Sequence, residues 1–147
     1  MRISTKGRYG LQAMLDLAVH SDGSQVALMN IATRQNISTN YLEQVFSILR
    51  KAGLVNSVKG AQGGYTIAVE PSKISVGKIL RALEGDLKVV DDEQTGVESE
   101  NADTKSCIRR CVWNKINDRI NGVVDSVTLQ DLIDDYSGYN QYPMFYI

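Results

Sequence analysis

Apolar residues recur at helical spacing near the start of the chain, where Leu11, Met14, Leu15, Ala18 and Val19 share one face. Ser4 or Thr5 stands where an N-cap is needed, and the spacing predicts a helix ending near His20, stopped by Asp22-Gly23-Ser24. A short second helix is expected over about Leu28 to Gln35, with Ile31 and Ala32 turned inward. Asn36-Ile37-Ser38 is a tight connection. Ser38 caps a third helix that runs to about Ala52 and stops at Gly53. Leu42, Val45, Phe46 and Leu49 form its apolar face, which leaves Thr39, Asn40, Glu43, Gln44 and Ser47 on the other.

The period then changes. Leu54–Val58 and Tyr65–Val69 read as two short strands joined by the glycine-rich run Lys59-Gly60-Ala61-Gln62-Gly63-Gly64, a β-hairpin. Pro71 interrupts the chain, and Ser75 caps a fourth helix that ends at Glu84-Gly85. Residues 86–106 are polar and acidic without clear periodicity and are expected to form a flexible loop. A long helix follows from about Cys107 to Val124, with Ile108, Val112, Ile116, Ile120 and Val123 along one stripe and Trp113 widening it. Thr128 caps a last short helix to about Tyr136, before an aromatic tail. The expected fold is mainly α with one small β-hairpin, divided into a unit of residues 1–85, the loop 86–106, and a helix with tail over 107–147.

Three helices followed by a hairpin is the order of a winged helix-turn-helix, whose second motif helix enters the DNA major groove. The charge distribution agrees. The chain's net charge is −1, yet residues 1–65 carry seven cations against three acids, while residues 86–106 carry seven acids against two cations. A basic first half is what one DNA-facing end requires. Ser38, Thr39 and Asn40 sit at the helix N-terminus, where base edges are met, Gln44 suits adenine, and Glu43 can accept from a cytosine amino group. Arg50 and Lys51 suit phosphates. Lys59 with Gly60, Gly63 and Gly64 makes a small basic wing tip able to approach the backbone or minor groove. The other reading of the same layout is a winged-helix adaptor that binds only protein.

With no run of roughly 18 apolar residues, no export signal and two cysteines, a cytoplasmic protein without membrane contact is expected. No nucleophile–base pair, phosphate loop or metal-ligand spacing argues for catalysis, and no cofactor is expected. The long amphipathic helix either lies back on its own domain or pairs with a symmetry mate.

Met1-Arg2-Ile3-Ser4-Thr5-Lys6-Gly7-Arg8-Tyr9-Gly10, Ile37-Ser38-Thr39-Asn40-Tyr41-Leu42-Glu43-Gln44, Leu49-Arg50-Lys51-Ala52-Gly53-Leu54-Val55 and Gly60-Ala61-Gln62-Gly63-Gly64-Tyr65 together resemble the Rrf-two family of bacterial regulators. The resemblance covers nearly the whole chain and thins over 86–106. It implies a homodimeric winged-helix regulator that binds double-stranded DNA at an imperfect palindrome, with the long helices crossing through Ile108, Val112, Trp113, Ile116, Ile120 and Val123. It also implies that Ser38, Asn40, Glu43 and Gln44 read bases, while Lys59 and the wing glycines lie at the minor groove. Arg8, Arg50 and Lys51 are our own assignments to phosphates.

Many members of that family sense through an iron–sulfur cluster held by three cysteines before the long helix. Counting back from Trp113, Cys107 falls where the last of these lies, but residues 86–106 contain no cysteine, and Arg110 stands where a histidine completes the site. Cys107 and Cys111 are four apart on one helical face. They are structural, or redox-active, or part of a different metal site. The ending Tyr142-Pro143-Met144-Phe145-Tyr146-Ile147 resembles that of the family's cysteine-metabolism branch, which lacks the cluster and takes its signal from cysteine synthase. The resemblance therefore implies a repressor of cysteine and sulfur metabolism genes. On that basis Ile147, with its carboxylate, is expected either to dock into cysteine synthase or to pack on the dimer.

Overall fold

The computed structural model describes residues 2–90 and 102–141. Its elements are α1 (Thr5–His20), α2 (Leu28–Gln35), α3 (Thr39–Lys51), β1 (Val55–Val58), β2 (Gly64–Ile67), α4 (Val76–Glu84), α5 (Ala102–Ile108), a π-helical turn (Arg109–Trp113), α6 (Asn114–Ser126) and α7 (Leu129–Gln141). One core joins α1, α2, α3 and α4, with Met14, Leu17, Ile31, Phe46, Leu49 and Ile79 fully buried. Each such side chain contributes about 1.5–3 kcal/mol relative to exposure.

α1 departs from expectation at its first turn. The Ser4 side chain makes no capping bond, and none is assigned to Thr5. The carboxylate of Glu84, at the end of α4, does that work instead. It accepts the backbone N–H of Ser4 at 3.0 Å and of Gly7 at 2.9 Å, and the Ser4 hydroxyl as well. A negative charge at a helix N-terminus satisfies orphan donors and meets the positive end of the dipole. Gly7 and Gly10 permit this approach, because a Cβ would lie 2.4 Å from Glu84 Oε1 at the first and 2.2 Å from Leu83 Cδ1 at the second.

The α2–α3 connection forms as its sequence suggests. Asn36 adopts a left-handed conformation (φ 55°), the Ile37 N–H donates to the Ala32 carbonyl, and Ile37 is buried beneath the turn. Ser38 Oγ then accepts the Tyr41 N–H at 3.1 Å. Gly53 closes α3 at φ 79°, and the Leu54 N–H returns to the Leu49 carbonyl. β1 and β2 pair antiparallel from Val55↔Ile67 to Val58↔Gly64; β1 starts one residue later than the hydrophobic pattern suggests, and β2 starts one residue earlier and ends two residues earlier. An isolated bridge, Val26↔Tyr65, ties the hairpin to the loop between α1 and α2.

The later segments are more integrated than their composition implies. Residues 86–90 of the expected loop are anchored: Leu87 is buried with Val76 and Leu80, Asn117 accepts the Val89 N–H, and Asn121 donates to the Leu87 carbonyl. Residues 102–106 are already helical, and the rest of that loop lies outside the described residues. The long helix is attached to α4 by Arg81, whose guanidinium grips Asp125 at 2.7 and 2.8 Å and donates to Asn121 at 2.7 Å. Gly77 leaves the space, since a Cβ there would lie 2.1 Å from Asp125 Oδ1.

Ile120 differs in exposure from the other residues of the stripe. It is half-buried against the cluster of Val76, Leu80 and Leu87, as is Val124. Ile108, Val112, Trp113, Ile116 and Val123 are exposed, Val123 by 64%. The π-turn explains how Ile108 and Ile116 remain aligned. It accommodates one extra residue, so positions that would drift by roughly 80° on a regular helix differ by only about 20°.

α7 continues past Tyr136 to Gln141 and starts from a reciprocal cap, in which Thr128 Oγ1 accepts the Asp131 N–H and Asp131 accepts the Thr128 N–H. Leu129 is completely buried in the main core, and its N–H donates to the Ile74 carbonyl. The C-terminal helix thus packs on the winged-helix core through Leu129. The ending Tyr142–Ile147 lies outside the described residues.

Candidate nucleic-acid interface

Burial of Leu42, Val45, Phe46 and Leu49 leaves the opposite face of α3 no choice but solvent. Asn40, Glu43 and Gln44 are exposed, and with Ser47 and Ile48 they line an open depression. Thr39 is half-buried. Ser38 is exposed and keeps its O–H to donate, although its oxygen is engaged as the cap. The donors and acceptors of Asn40, Glu43 and Gln44 are the types that distinguish base pairs from the major-groove side.

Cations flank this face at both ends. Arg8 is exposed on α1, donates to Thr5 Oγ1 at 3.3 Å, and lies 6.0 Å from the Tyr9 ring. Tyr9 meets Tyr41 edge-on at 6.0 Å, which sets this part of α1 beside the first turn of α3. Arg50 and Lys51 are exposed in the last turn of α3, where they also complement the helix dipole.

The wing lies alongside, with Lys59 and Gly60 exposed and Gly60 at φ +118°. Its other two glycines are closely packed. The Gly63 N–H closes a tight turn onto the Gly60 carbonyl at 3.0 Å, and a Cβ on Gly63 would lie 2.6 Å from the Val58 oxygen. At Gly64 a Cβ would fall 2.3 Å from the Val26 carbonyl oxygen. Both are half-buried and required by close backbone approach. Phe46 packs on Tyr65 with ring centroids 4.8 Å apart, fastening the wing base to α3.

Sequence reasoning overlooked the polar group that orients α2. Asp16, 3% exposed on α1, accepts three bonds from Arg34 at 2.7–3.2 Å and one from Gln35 at 2.8 Å. His20 Nδ1 stands 3.5 Å from the same carboxylate. Burial pushes the Asp16 carboxyl up. The hydrogen bonds of Arg34 and Gln35, with the charges of Arg34 and His20, outweigh that and hold it below the usual value. Asp16 lies off the stripe of Leu11, Met14, Leu15, Ala18 and Val19, so the helical period gave no sign of its burial.

Three helices with a tight left-handed turn between the second and third, followed by a braced hairpin, define a winged helix-turn-helix. Residues 3–135 match the model of the Rrf2 (Rrf-two) family, described as an iron-dependent transcriptional regulator, and the chain belongs to that family. It is 42% identical over 150 residues to the HTH-type transcriptional regulator CymR of Bacillus subtilis (strain 168), covering 100% of both chains. The solved structure of CymR, the global cysteine regulator of B. subtilis, matches with a TM-score of 0.75 at 42% identity, over 91% of this chain and 97% of that one. T. potens IscR matches with a TM-score of 0.73 at 46% identity, over 100% and 94%. The protein is therefore a DNA-binding transcriptional regulator, and its relatives are regulators rather than enzymes.

The family's iron dependence can be tested against this chain's donors. Cys107 and Cys111 are its two cysteines, both exposed, with Arg109 and Arg110 between them. Among the described residues no group of three or more His, Cys, Asp or Glu side chains is arranged to hold a metal ion. Two thiols on one helix, with an arginine at the expected histidine position, do not fit a three-thiolate cluster site. Also among the described residues, no helix is long and apolar enough to cross a membrane.

Proposed function

We propose that the protein is a homodimeric repressor of cysteine and sulfur metabolism genes that reads an imperfect palindrome. α3 supplies base readout through Ser38, Thr39, Asn40, Glu43 and Gln44. Arg8, Arg50 and Lys51 bind phosphates, and the wing follows the minor groove with Lys59, Gly60, Gly63 and Gly64. The observation that carries this reading is the pairing of two surfaces: an uncommitted polar face on α3, and an exposed apolar stripe of Ile108, Val112, Trp113, Ile116 and Val123 on the long helix. A stripe with Trp113 36% and Ile116 38% exposed is costly in water and is covered by a second copy. Two copies then present two reading helices to two half-sites.

The sulfur target is supported by end-to-end similarity to a global cysteine regulator and by the absence of a three-cysteine set. The signal would come from cysteine synthase, with Ile147 as the docking residue. The test is to map the chain's binding sites across its host genome and to measure DNA binding with cysteine synthase present. Sites upstream of sulfur genes are expected, with a response to cysteine synthase that disappears on deletion of Ile147. Sites elsewhere would defeat the target assignment, and an unchanged response without Ile147 would defeat the docking role.

A second reading has its own observation. Cys107 and Cys111 are both solvent-exposed beside the stripe, which suits a thiol-redox or unconventional iron-dependent regulator. An absorption spectrum and iron assay on anaerobically purified protein, followed by a thiol count after peroxide, separate the two. A colourless, iron-free protein whose thiols resist oxidation would leave the cysteine-regulator reading alone.

A further inference from the structure

An isolated two-stranded hairpin is marginal in water, so a wing that presents fixed chemistry to DNA needs anchors outside itself. Its base has two: the Val26↔Tyr65 bridge, with both backbone bonds at 2.9 Å, and the Phe46–Tyr65 contact. Its tip has a different one. Gln25, half-buried in the loop between α1 and α2, donates from Nε2 to the Gln62 carbonyl at 2.6 Å. Among the described residues this is the only side-chain hydrogen bond between the tip and the rest of the fold. Gln62 occupies the turn that Gly63 closes onto Gly60, so holding its carbonyl fixes the plane of that turn and the direction in which Lys59 leaves it.

We infer that Gln25 is a positioning residue for DNA binding, which pre-orders the wing so that Lys59 meets the nucleic acid without a loop-ordering penalty. This rests on the wing contacting DNA, as proposed above. Removing the tie leaves the base anchored and the tip turn free to tilt at Gly60, the wing residue with positive φ. Ordering it then falls to the binding step, which should weaken affinity by roughly three- to tenfold.

The test uses Gln25→Met, which keeps length and neutrality but removes the donor, on a duplex that the wild-type chain selects from a random pool. The expected result is a three- to tenfold weaker complex, a salt slope unchanged because the Lys59 contact still forms in the complex, and an unchanged thermal midpoint. A double-mutant cycle separates positioning from general weakening: in a Lys59→Ala background, Gln25→Met should cause little further loss. Wild-type affinity in Gln25→Met, a salt slope shallower by a whole contact, or full additivity with Lys59→Ala would overturn the assignment. Failure of the wild-type chain to select any duplex would instead defeat the underlying DNA-binding reading, and the inference with it.

Discussion

Substituting Asp16 by asparagine tests the physical argument most directly, because the shape is kept while the charge is removed. The carboxylate side chain is fully buried and receives Arg34 and Gln35 donors between 2.7 and 3.2 Å. An amide there retains one acceptor and turns an NH2 toward a guanidinium or another amide. Breaking a buried pair outright costs about 3–5 kcal/mol. The Arg34 side chain is 34% exposed and rehydrates, and one acceptor survives, so Asp16→Asn should destabilise by about 2 kcal/mol. For a chain of this length that corresponds to a melting temperature lower by roughly 4–8 °C. The dependence on pH has a definite sign. The folded carboxyl lies below its ordinary value of 3.8, so its contribution is complete above that value and is lost as pH falls through the depressed folded value. Thermal melts of both proteins should show a constant gap from neutral pH down to about 3.8, narrowing only below it. Equal melting at neutral pH would refute the reasoning, and so would a gap that closes between pH 7 and 5.

Gly64→Ala forces a Cβ to within 2.3 Å of the Val26 oxygen, so the Val26–Tyr65 bridge must open. A loss of about 1–3 kcal/mol is expected in denaturant unfolding, and wild-type stability would show that the hairpin has slack there. Glu43→Ala should relax preference at one base pair by about 1–3 kcal/mol in a selection assay, whereas Arg50→Ala and Lys51→Ala should weaken all duplexes alike. An unaltered preferred sequence in Glu43→Ala would remove Glu43 from the reading set. Ile116→Asp should convert the proposed dimer to a folded monomer in sedimentation, because a carboxylate is unfavourable in an apolar interface; a persistent dimer would place the interface elsewhere.

Most of the element order was legible because it depends on local chemistry. The helical period of Leu42, Val45, Phe46 and Leu49, the left-handed tolerance of Asn36, the Ser38 and Ser75 caps and the stop at Gly53 all act within a few residues of themselves. The polar face of α3 followed directly, since it is whatever the buried face leaves over. The motif glycines were visible, but their reasons were not. Gly10 faces Leu83 and Gly64 faces Val26, each a contact between segments distant in the chain, as is that of Gly77, outside the motifs, with Asp125. Ile120 shows the same limit. Its spacing matches the stripe, and only the fold shows that it also packs against Val76 and Leu80.

The sequence by itself determined which segments are helix, hairpin and cap, and which face of α3 is polar, because propensity and periodicity are properties of neighbours. The tertiary structure alone decided that Glu84 caps α1, that Asp16 locks α2, that Gln25 ties the wing tip, and that α7 returns to the core. Each of these partnerships joins residues between 18 and 80 positions apart or seals one element onto another. Such pairings are selected by which arrangement satisfies buried polar groups and fills the core at once, a condition on the whole chain that no local window contains.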